Sequence, residues 1–451
     1  MSKERLVVIG GDAAGMSAAA KAKRDNPELD ILVFERSPHT SYSACGMPYY
    51  IGGLVPEVEK LIARTPDDFR QKYGIEAKVR HEVTEIDPKD RLVRVRDRDA
   101  RREWQEPYDQ LLIATGAVPF CPRLPGSSTG GIFGLSTLQS GIRVQRYLEE
   151  RQPRKAIVVG GGYIGLEMAE ALLRRGLEVA LVQRSEQVMG TLDPDMGALV
   201  SEALRQTGVT LHLEESLTAF EASGDRVTAV VTDKQTLPAD IVILGMGARP
   251  NAELAERAGI PLGERGSIRV NSRMQTPVDG VWAAGDCAET IHLVSRKPFW
   301  VSLGTVANKM GVVAGTNLGG GSAVFPGVVG TAVSKICKYE VARTGLQEEE
   351  IRRLGLEFAS ATIKSRTRAG YYPKAGRITV KILMEKGSGR LLGGQIVGIE
   401  GAAKRIDILA TALHAGMTAA QLIDLDLSYA PPYSPVWDPV QTAARQVVKM
   451  I

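Results

Sequence analysis

Apolar residues along this chain fall into two kinds of run. Some are short and continuous with glycine at their ends, as a strand buried on both faces requires. Others recur every third or fourth position, as a helix with one buried side requires. The two kinds join twice. Residues 6–15 read LVVIGGDAAG and residues 156–165 read AIVVGGGYIG, each a buried strand running into glycines and then into a helical pattern. The first predicts a strand over 5–9, a helix over about 14–24 and a strand over 30–34 that ends at Glu35. The second predicts the same βαβ unit through 156–184.

Between and after these units the pattern marks crossings. LLIATGAVP (111–119) predicts a strand ending in Thr115-Gly116, and the Pro/Gly stretch PRLPGSSTGG behind it predicts passage into a second domain. TLPADIVILGMGARPN (236–251) predicts a strand returning toward the first domain. GVWAAGDCAE (280–289) predicts a strand closing on Gly285-Asp286, with a helix near 303–317. A glycine-rich break at 319–327 ends this region. From about 330 the segments GTAVSKICKYEVARTGL, RITVKILM and LLGGQIVGI alternate like antiparallel strands, and 401–424 reads as helix. The expected fold is α/β: two Rossmann-like nucleotide-binding domains (FAD and NAD(P)H) with a C-terminal α+β dimerisation domain. The expected bounds are 1–118 with 248–322, then 119–247, then 323–451.

Composition narrows the classes. A chain of 451 residues can bury about three cores. A formal charge of +4 makes no case for nucleic acid, though it suits small anionic ligands. The basic run RLVRVRDRDARR (91–102) alternates like an exposed hairpin. Four cysteines, at 45, 121, 287 and 337, are too few and scattered for a disulfide framework, and no CxxC or histidine cluster offers a metal site. The apolar run at 6–9 goes straight into a turn, and no run reaches the roughly eighteen residues of a membrane span. The expectation is a cytoplasmic protein with no membrane partner, in a reducing compartment where a free thiol survives.

The two glycine loops carry the first chemistry. A strand–turn–helix with glycines lets the backbone approach a pyrophosphate and turns free helix N–H groups toward it. In the first loop Gly10 and Gly15 fit the fingerprint, while the middle position holds Asp12. That side chain disfavours an NAD site and is better tolerated in an FAD site, and Glu35 stands where a ribose 2′-OH is held. The second loop, with Gly160, Gly162 and Gly165, is intact and suits NAD(P)H. At the end of its second strand Gln183-Arg184 replaces the acid that selects NAD, which leaves both NADH and NADPH open. Asp286 is placed to accept a hydrogen bond from the ribityl chain of FAD.

Cys45 lies in SYSACGMPYYIGG (41–53), thirty residues after Gly15. Gly46 and Pro48 beside it predict a turn entering a helix, where a thiol is expected to have a lowered pKa and act as a nucleophile. No cysteine stands four or five residues away, so any redox chemistry runs through one thiol. Cys121, Cys287 and Cys337 lack such a setting, although Cys287 follows Asp286.

Taken together, Ser41-x-x-x-Cys45-Gly-x-Pro-Tyr, ATG at 114–116, GGGYIGLE at 160–167, GD at 285–286 and Gly-Ala-Ala-Lys-Arg-Ile-Asp at 401–407 resemble the coenzyme A disulfide reductases. These form part of the single-cysteine branch of the FAD-dependent pyridine nucleotide–disulfide oxidoreductases. The resemblance spans essentially the whole chain. Its most specific part is the pair of tyrosine segments, Tyr371-Tyr372-Pro373 and Tyr429-Ala-Pro-Pro-Tyr433. It implies that Tyr371 and Tyr429 reach Cys45 of a second subunit, so that a homodimer shares its active sites. It also implies that Lys21, Arg24, Ser41 and Tyr433 meet coenzyme A, with Lys23 nearby. The cofactor-binding set it implies takes in Ala13, Ala14, Arg36, Val83, Ala114, Thr115 and Gly116. It continues with Tyr163, Ile164, Glu167, Gly247, Leu303 and Thr305.

Related oxidases and peroxidases usually carry a histidine in the first loop, where this chain has Ala13. Relatives often have Asn before the cysteine and before Tyr-Tyr-Pro, where this chain has Ala44 and Gly370. The implied activity is NAD(P)H-dependent reduction of coenzyme A disulfide through a Cys45–CoA mixed disulfide. A CoA-persulfide or polysulfide reductase, an NAD(P)H oxidase, an electron-transfer reductase and a redox sensor stand as alternatives.

Overall fold

The structure is a computed structural model that describes residues 3–450. Its first sheet is parallel and five-stranded. Arg5–Ile9 lies at the centre, with Asp30–Glu35 and Glu76–Val79 to one side and Gln110–Ile113 and Val281–Ala283 to the other. The second sheet repeats this plan. Lys155–Val159 is central, with Glu178–Gln183 and Thr210–Leu213 on one side and Ile241–Leu244 and Ile132–Gly134 on the other. Each fold also carries a three-stranded antiparallel meander before its strand returns, 81–107 in the first and 217–238 in the second. The stretch 91–102 is part of the first meander, the exposed hairpin expected. After their first residue the central strands of both parallel sheets are apolar and buried, and in the first fold Val93 and Val95 of the meander join the same core as the helices.

The last sheet is antiparallel, in the order Ala332–Ile336, Tyr339–Gly345, Leu391–Gly398, Arg377–Glu385, Phe358–Arg366. Helices Ala402–His414 and Pro439–Val447 bury Ile406, Leu409, Val440 and Ala444 against it. The strand at 358–366 and the helix at 439–447 were not foreseen in the pattern.

Three expected elements are corrected. The strand expected to end at Thr115-Gly116 stops at Ile113, and Ala117–Pro119 is a separate strand that pairs with Ala248–Pro250. This two-stranded ribbon is the crossing between the nucleotide folds. The strand expected over 236–251 is three strands, 236–238, 241–244 and 248–250, each in a different sheet. Helix at 401–424 is two helices, Ala402–His414 and Ala419–Ile423, because Gly416 takes a positive φ of 66°.

Core packing locates the redox segment. Residues 6–34 and 252–328 share one apolar core. Met47, Ile51 and Leu61, although they follow the first βαβ unit in sequence, pack instead with Leu138, Leu166 and Leu172 of the second fold. The short helix Met47–Ile51 is therefore a wedge set between the two nucleotide folds.

A buried charge cluster fastens the second fold to the last sheet. Lys381 is 5% exposed and meets Asp193 at 3.1 Å, Asp195 at 2.8 Å and Glu348 at 2.7 Å. Gln395 donates to Asp193 Oδ2 and accepts from the Asp193 N–H, both at 2.8 Å. Burial opposes the charge on Lys381, but its hydrogen bonds to these carboxylates outweigh it and hold its pKa above the ordinary value. Removing the cation leaves the buried Asp193 carboxylate uncompensated, with Glu348 and the half-exposed Asp195 beside it. Lys381→Met is expected to cost about 3–5 kcal/mol, measured as a lowered Tm. An unchanged Tm would show that the carboxylates relax into water.

Candidate active site

The first loop is built by strand, turn and helix. Gly10 has φ +111°, and a Cβ on Gly15 would run into the Gly10 carbonyl, so helix Ala13–Asp25 starts hard against the turn. Glu35, at the end of the neighbouring strand, holds the loop from the side. Its Oε2 accepts the Gly11 N–H at 2.8 Å and its Oε1 the Ser37 N–H at 2.7 Å. Ala114 donates its N–H to Ile9 at 2.8 Å, and Thr115 Oγ1 donates to the Asn251 carbonyl at 2.6 Å, which brings Ala114, Thr115 and Gly116 beside the loop. Ala14 packs close to Gly285 and to Gly311 of helix Gly304–Leu318. Arg36 is exposed beside Glu35, and Val83 is buried in the adjoining meander.

Asp286 lies where the expected FAD site needs an acceptor. Its Oδ2 is bonded by Ser302, and the Leu303 N–H at the start of helix Gly304–Leu318 also stabilises its charge. Burial, the larger influence, pushes its pKa up. Its Oδ1 is buried with no partner among the described residues. An acceptor left bare inside a glycine-lined cradle fits a polyhydroxyl chain such as that of FAD. Thr305 sits one residue into the same helix.

The second loop copies the first. Gly160 has φ +102°, and a Cβ on Gly165 would strike the Gly160 carbonyl. Gln183 Oε1 accepts the Gly161 N–H at 2.7 Å, the bond that Glu35 makes in the first fold, while its Nε2 reaches Ser185 at 2.5 Å. Gly162 and Gly247 face open space, Ile164 and Arg184 are exposed, and Tyr163 opens the helix Tyr163–Arg174. The room and the N–H groups suit a second dinucleotide.

Cys45 occupies the turn Ala44–Gly46 that feeds the wedge helix Met47–Ile51, as expected, and it is exposed. The segment is tied back to the first loop: Ser41, with φ +43°, donates its N–H to Gly11 at 3.0 Å, and the Tyr42 N–H donates to Asp12 Oδ1 at 3.1 Å. The lowered thiol pKa expected from a helix N-terminus is corrected. Desolvation by the surrounding chain pushes it above its ordinary value, and the Glu167, Asp286 and Asp12 carboxylates push the same way. A five-residue helix carries too little dipole to offset them. Cys287 is fully buried, and its Sγ points to the carbonyls of Ile113 and Ala284.

Glu167 links the second loop's helix to the last sheet, accepting from Ser334 Oγ at 2.8 Å, and burial raises its pKa. Arg405 does comparable work for the tyrosine segments. Only 8% exposed, it donates to the Thr367 carbonyl at 3.2 Å, the Tyr433 carbonyl at 3.0 Å and Asp438 at 2.8 Å. It thereby joins the chain before Tyr371 to the chain after Tyr429. The Tyr371 hydroxyl, beside that of Tyr429, raises the Tyr429 pKa. Both are exposed, as is Tyr433 at 77%. Arg405 stands within the 401–407 motif, and its burial is the feature sequence could not show. Of the expected cations, Lys21 pairs with Asp25 at 2.7 Å and Lys23 bonds the carbonyls of Pro27 and Leu29. Arg24 is exposed and makes no hydrogen bond or ion pair among the described residues.

Two dinucleotide folds facing one wedge that bears a thiol define a pyridine-nucleotide oxidoreductase. The chain belongs to the pyridine nucleotide-disulphide oxidoreductase family: residues 4–309 match that family's model and residues 331–439 match its dimerisation domain. Its cofactors are accordingly FAD and NAD(P)H. It is 41% identical over 444 residues to the "NAD(P)H sulfur oxidoreductase (CoA-dependent)" of Pyrococcus abyssi, covering 98% of each chain. It is 30% identical to the "Coenzyme A disulfide reductase" of Staphylococcus haemolyticus over 95% of this chain and 96% of the relative. A solved NAD-dependent persulfide reductase from A. fulgidus superposes with a TM-score of 0.95 at 40% identity, over 99% of this chain and 83% of that one. No helix among the described residues is long and apolar enough to cross a membrane.

Because Glu167 raises the Cys45 pKa, Glu167→Gln is expected to lower it. The pH profile of Cys45 alkylation by iodoacetamide should move to lower pH in that variant. An unmoved profile would place Glu167 too far from the sulfur to matter.

Proposed function

We propose that this oxidoreductase reduces sulfur–sulfur bonds carried on coenzyme A, with CoA disulfide as the primary substrate and Cys45 as the single redox thiol. The observation that carries the reading is the contrast between two cysteines. Cys45 is open at the junction of both nucleotide folds, whereas Cys287, next to Asp286, is sealed and bonded to carbonyls.

FAD in the first fold would pass the electron pair of NAD(P)H to the sulfur chemistry. The Cys45 thiolate attacks one sulfur of CoA–S–S–CoA, the old bond breaks, and one CoA leaves as thiolate while a Cys45–S–S–CoA bond forms. Two electrons and a proton then return Cys45 to thiolate and free the second CoA as thiol. NAD(P)H and one proton are consumed for two CoA thiols. Tyr371 and Tyr429 of the second subunit are the proton donors to the departing CoA sulfur, held in register by Arg405. Arg24, exposed and unengaged, is the strongest phosphate contact. Lys21 shares its charge with Asp25, and Ser41 and Tyr433 border the path.

The sulfur oxidoreductase and persulfide reductase among the relatives favour a second substrate for the same thiol. Attack on the outer sulfur of CoA–S–SH would free CoA thiolate and leave a Cys45 persulfide, which two electrons and a proton convert to thiolate and hydrogen sulfide.

Cys45→Ser is expected to keep flavin reduction by NAD(P)H and to lose disulfide reduction almost completely, while Cys287→Ser retains turnover if it folds. Mass spectrometry of the wild type should show a reducible CoA adduct on Cys45, and sulfide release from CoA persulfide measures the second reading. Retained activity in Cys45→Ser would end the proposal.

Mixing Cys45→Ser chains with Tyr371→Phe/Tyr429→Phe chains tests the shared site. Heterodimers should regain activity, because one of their two sites is intact. No recovery after verified exchange would mean that each chain works alone.

Coenzyme choice follows from Gln183. Gln183→Glu keeps the acceptor for Gly161 and adds a charge that repels a 2′-phosphate, so kcat/KM should shift toward NADH. An unchanged ratio would assign ribose selection to other residues.

A further inference from the structure

The two nucleotide loops superimpose in plan yet differ at their middle position, Asp12 in the first and Gly162 in the second. A Cβ at Gly162 would find its nearest neighbour, the Gly245 carbonyl, only at 3.9 Å, so this position of the turn has room for a side chain. The obstacle at Asp12 is charge. A carboxylate at the mouth of a pyrophosphate cradle faces an anion, with Glu35 and Asp286 already beside it.

Local geometry shows how the chain uses the group. Asp12 is the N-cap of helix Ala13–Asp25, in extended conformation, and its side chain makes no cap bond. It turns instead to the Cys45 segment, where Oδ1 accepts the Tyr42 N–H at 3.1 Å. The groups acting on it are Glu35 at the end of its strand, Asp286 after the strand Val281–Ala283, and the backbone N–H groups of Tyr42 and Ala13. The Cys45 thiol and the Tyr42 phenol also feel its charge, and no cation is among its principal neighbours. Burial raises its pKa most, the Tyr42 N–H pulls it down, and Glu35 and Asp286 push it up, leaving it at about 7.

We propose that Asp12 holds FAD as a neutral carboxylic acid, its Oδ1 keeping the bond to Tyr42 while the protonated oxygen offers the pyrophosphate a donor instead of a charge. The inference rests on the assignment of FAD to the first loop. It makes Asp12 a positioning residue with two tasks, gripping the cofactor and tying the redox segment to the loop that grips it. Between the free-chain and holoenzyme values, up to one proton enters from solvent when FAD binds and returns when FAD leaves. Because the anion raises the Asp12 pKa further, the grip is complete below the free-chain value. It is lost as pH rises through the higher value of the holoenzyme.

The test follows FAD release from diluted holoenzyme by flavin fluorescence, with wild type, Asp12→Asn and Asp12→Gly. Wild-type release should accelerate with pH by up to about tenfold per pH unit while the ionised fraction of Asp12 grows, the limit for one proton, and level off once Asp12 is ionised in the holoenzyme. Asp12→Asn keeps an acceptor for Tyr42 and a donor for phosphate but cannot ionise, so its release should stay slow and independent of pH. Asp12→Gly should also be independent of pH, but hydrogen exchange at the Tyr42 amide should quicken in it and not in Asp12→Asn. Asp12→Asn with the wild-type pH dependence would assign the proton to Asp286 or Glu35 and overturn the proposal. So would Asp12→Asn releasing FAD faster than wild type at low pH, or Asp12→Gly with Tyr42 still protected. A holoenzyme purified without flavin would instead remove the FAD assignment itself, a separate outcome.

Discussion

The structure depends on helices brought into contact with the strand turns that precede them. At Gly15 and Gly165 the first helical turn touches the carbonyl of the glycine that ends the strand, and any side chain there would force the two apart. That contact sets the helix N–H groups at a fixed height above the sheet. A side chain at the end of the neighbouring strand then fixes the loop laterally, Glu35 in one fold and Gln183 in the other. Two steric contacts and two hydrogen bonds thus define two loops built to suit a dinucleotide, and the remaining architecture brings both near one thiol.

That architecture was readable in sequence where it repeats a local pattern and unreadable where it depends on distant partners. The strand–glycine–helix units are encoded within about thirty residues each, and the helix 13–25 and strand 5–9 lie where periodicity places them. Strand 358–366 alternates too weakly to be told from loop, since its residues are partly exposed at a sheet edge. The break after Ile113, ahead of Thr115-Gly116, is not legible because Ala114 looks equally strand-like, and only the loop beside Gly10 requires the chain to turn there.

Site residues divide in the same way. Cys45, Asp286 and the glycines declare themselves by type and neighbours. The rise in the Cys45 pKa could not be seen, because it comes first from burial in the assembled fold and then from Glu167 and Asp286, which lie more than a hundred residues away. Arg405 is marked in sequence only by its place in the 401–407 motif. Besides Gly401 at the start of its own helix, its acceptors are Thr367 on one stretch of chain and Tyr433 and Asp438 on another, and their convergence makes it a tie between the tyrosine segments.

The cluster around Lys381 has a mechanical consequence. In a protein of several domains joined by ribbons, the nucleotide domain is ordinarily free to swing as ligands come and go. Here Lys381 and Gln395 of the antiparallel sheet reach across the seam to Asp193 and Asp195 of the second fold, and opening that seam would part them and leave Lys381 only Glu348 of its own domain. The second fold and the last sheet therefore move as one body. Exchange of the pyridine nucleotide has to proceed by local motion of loop and side chain. Grafting another nucleotide domain onto this frame would require moving its half of the charge cluster with it.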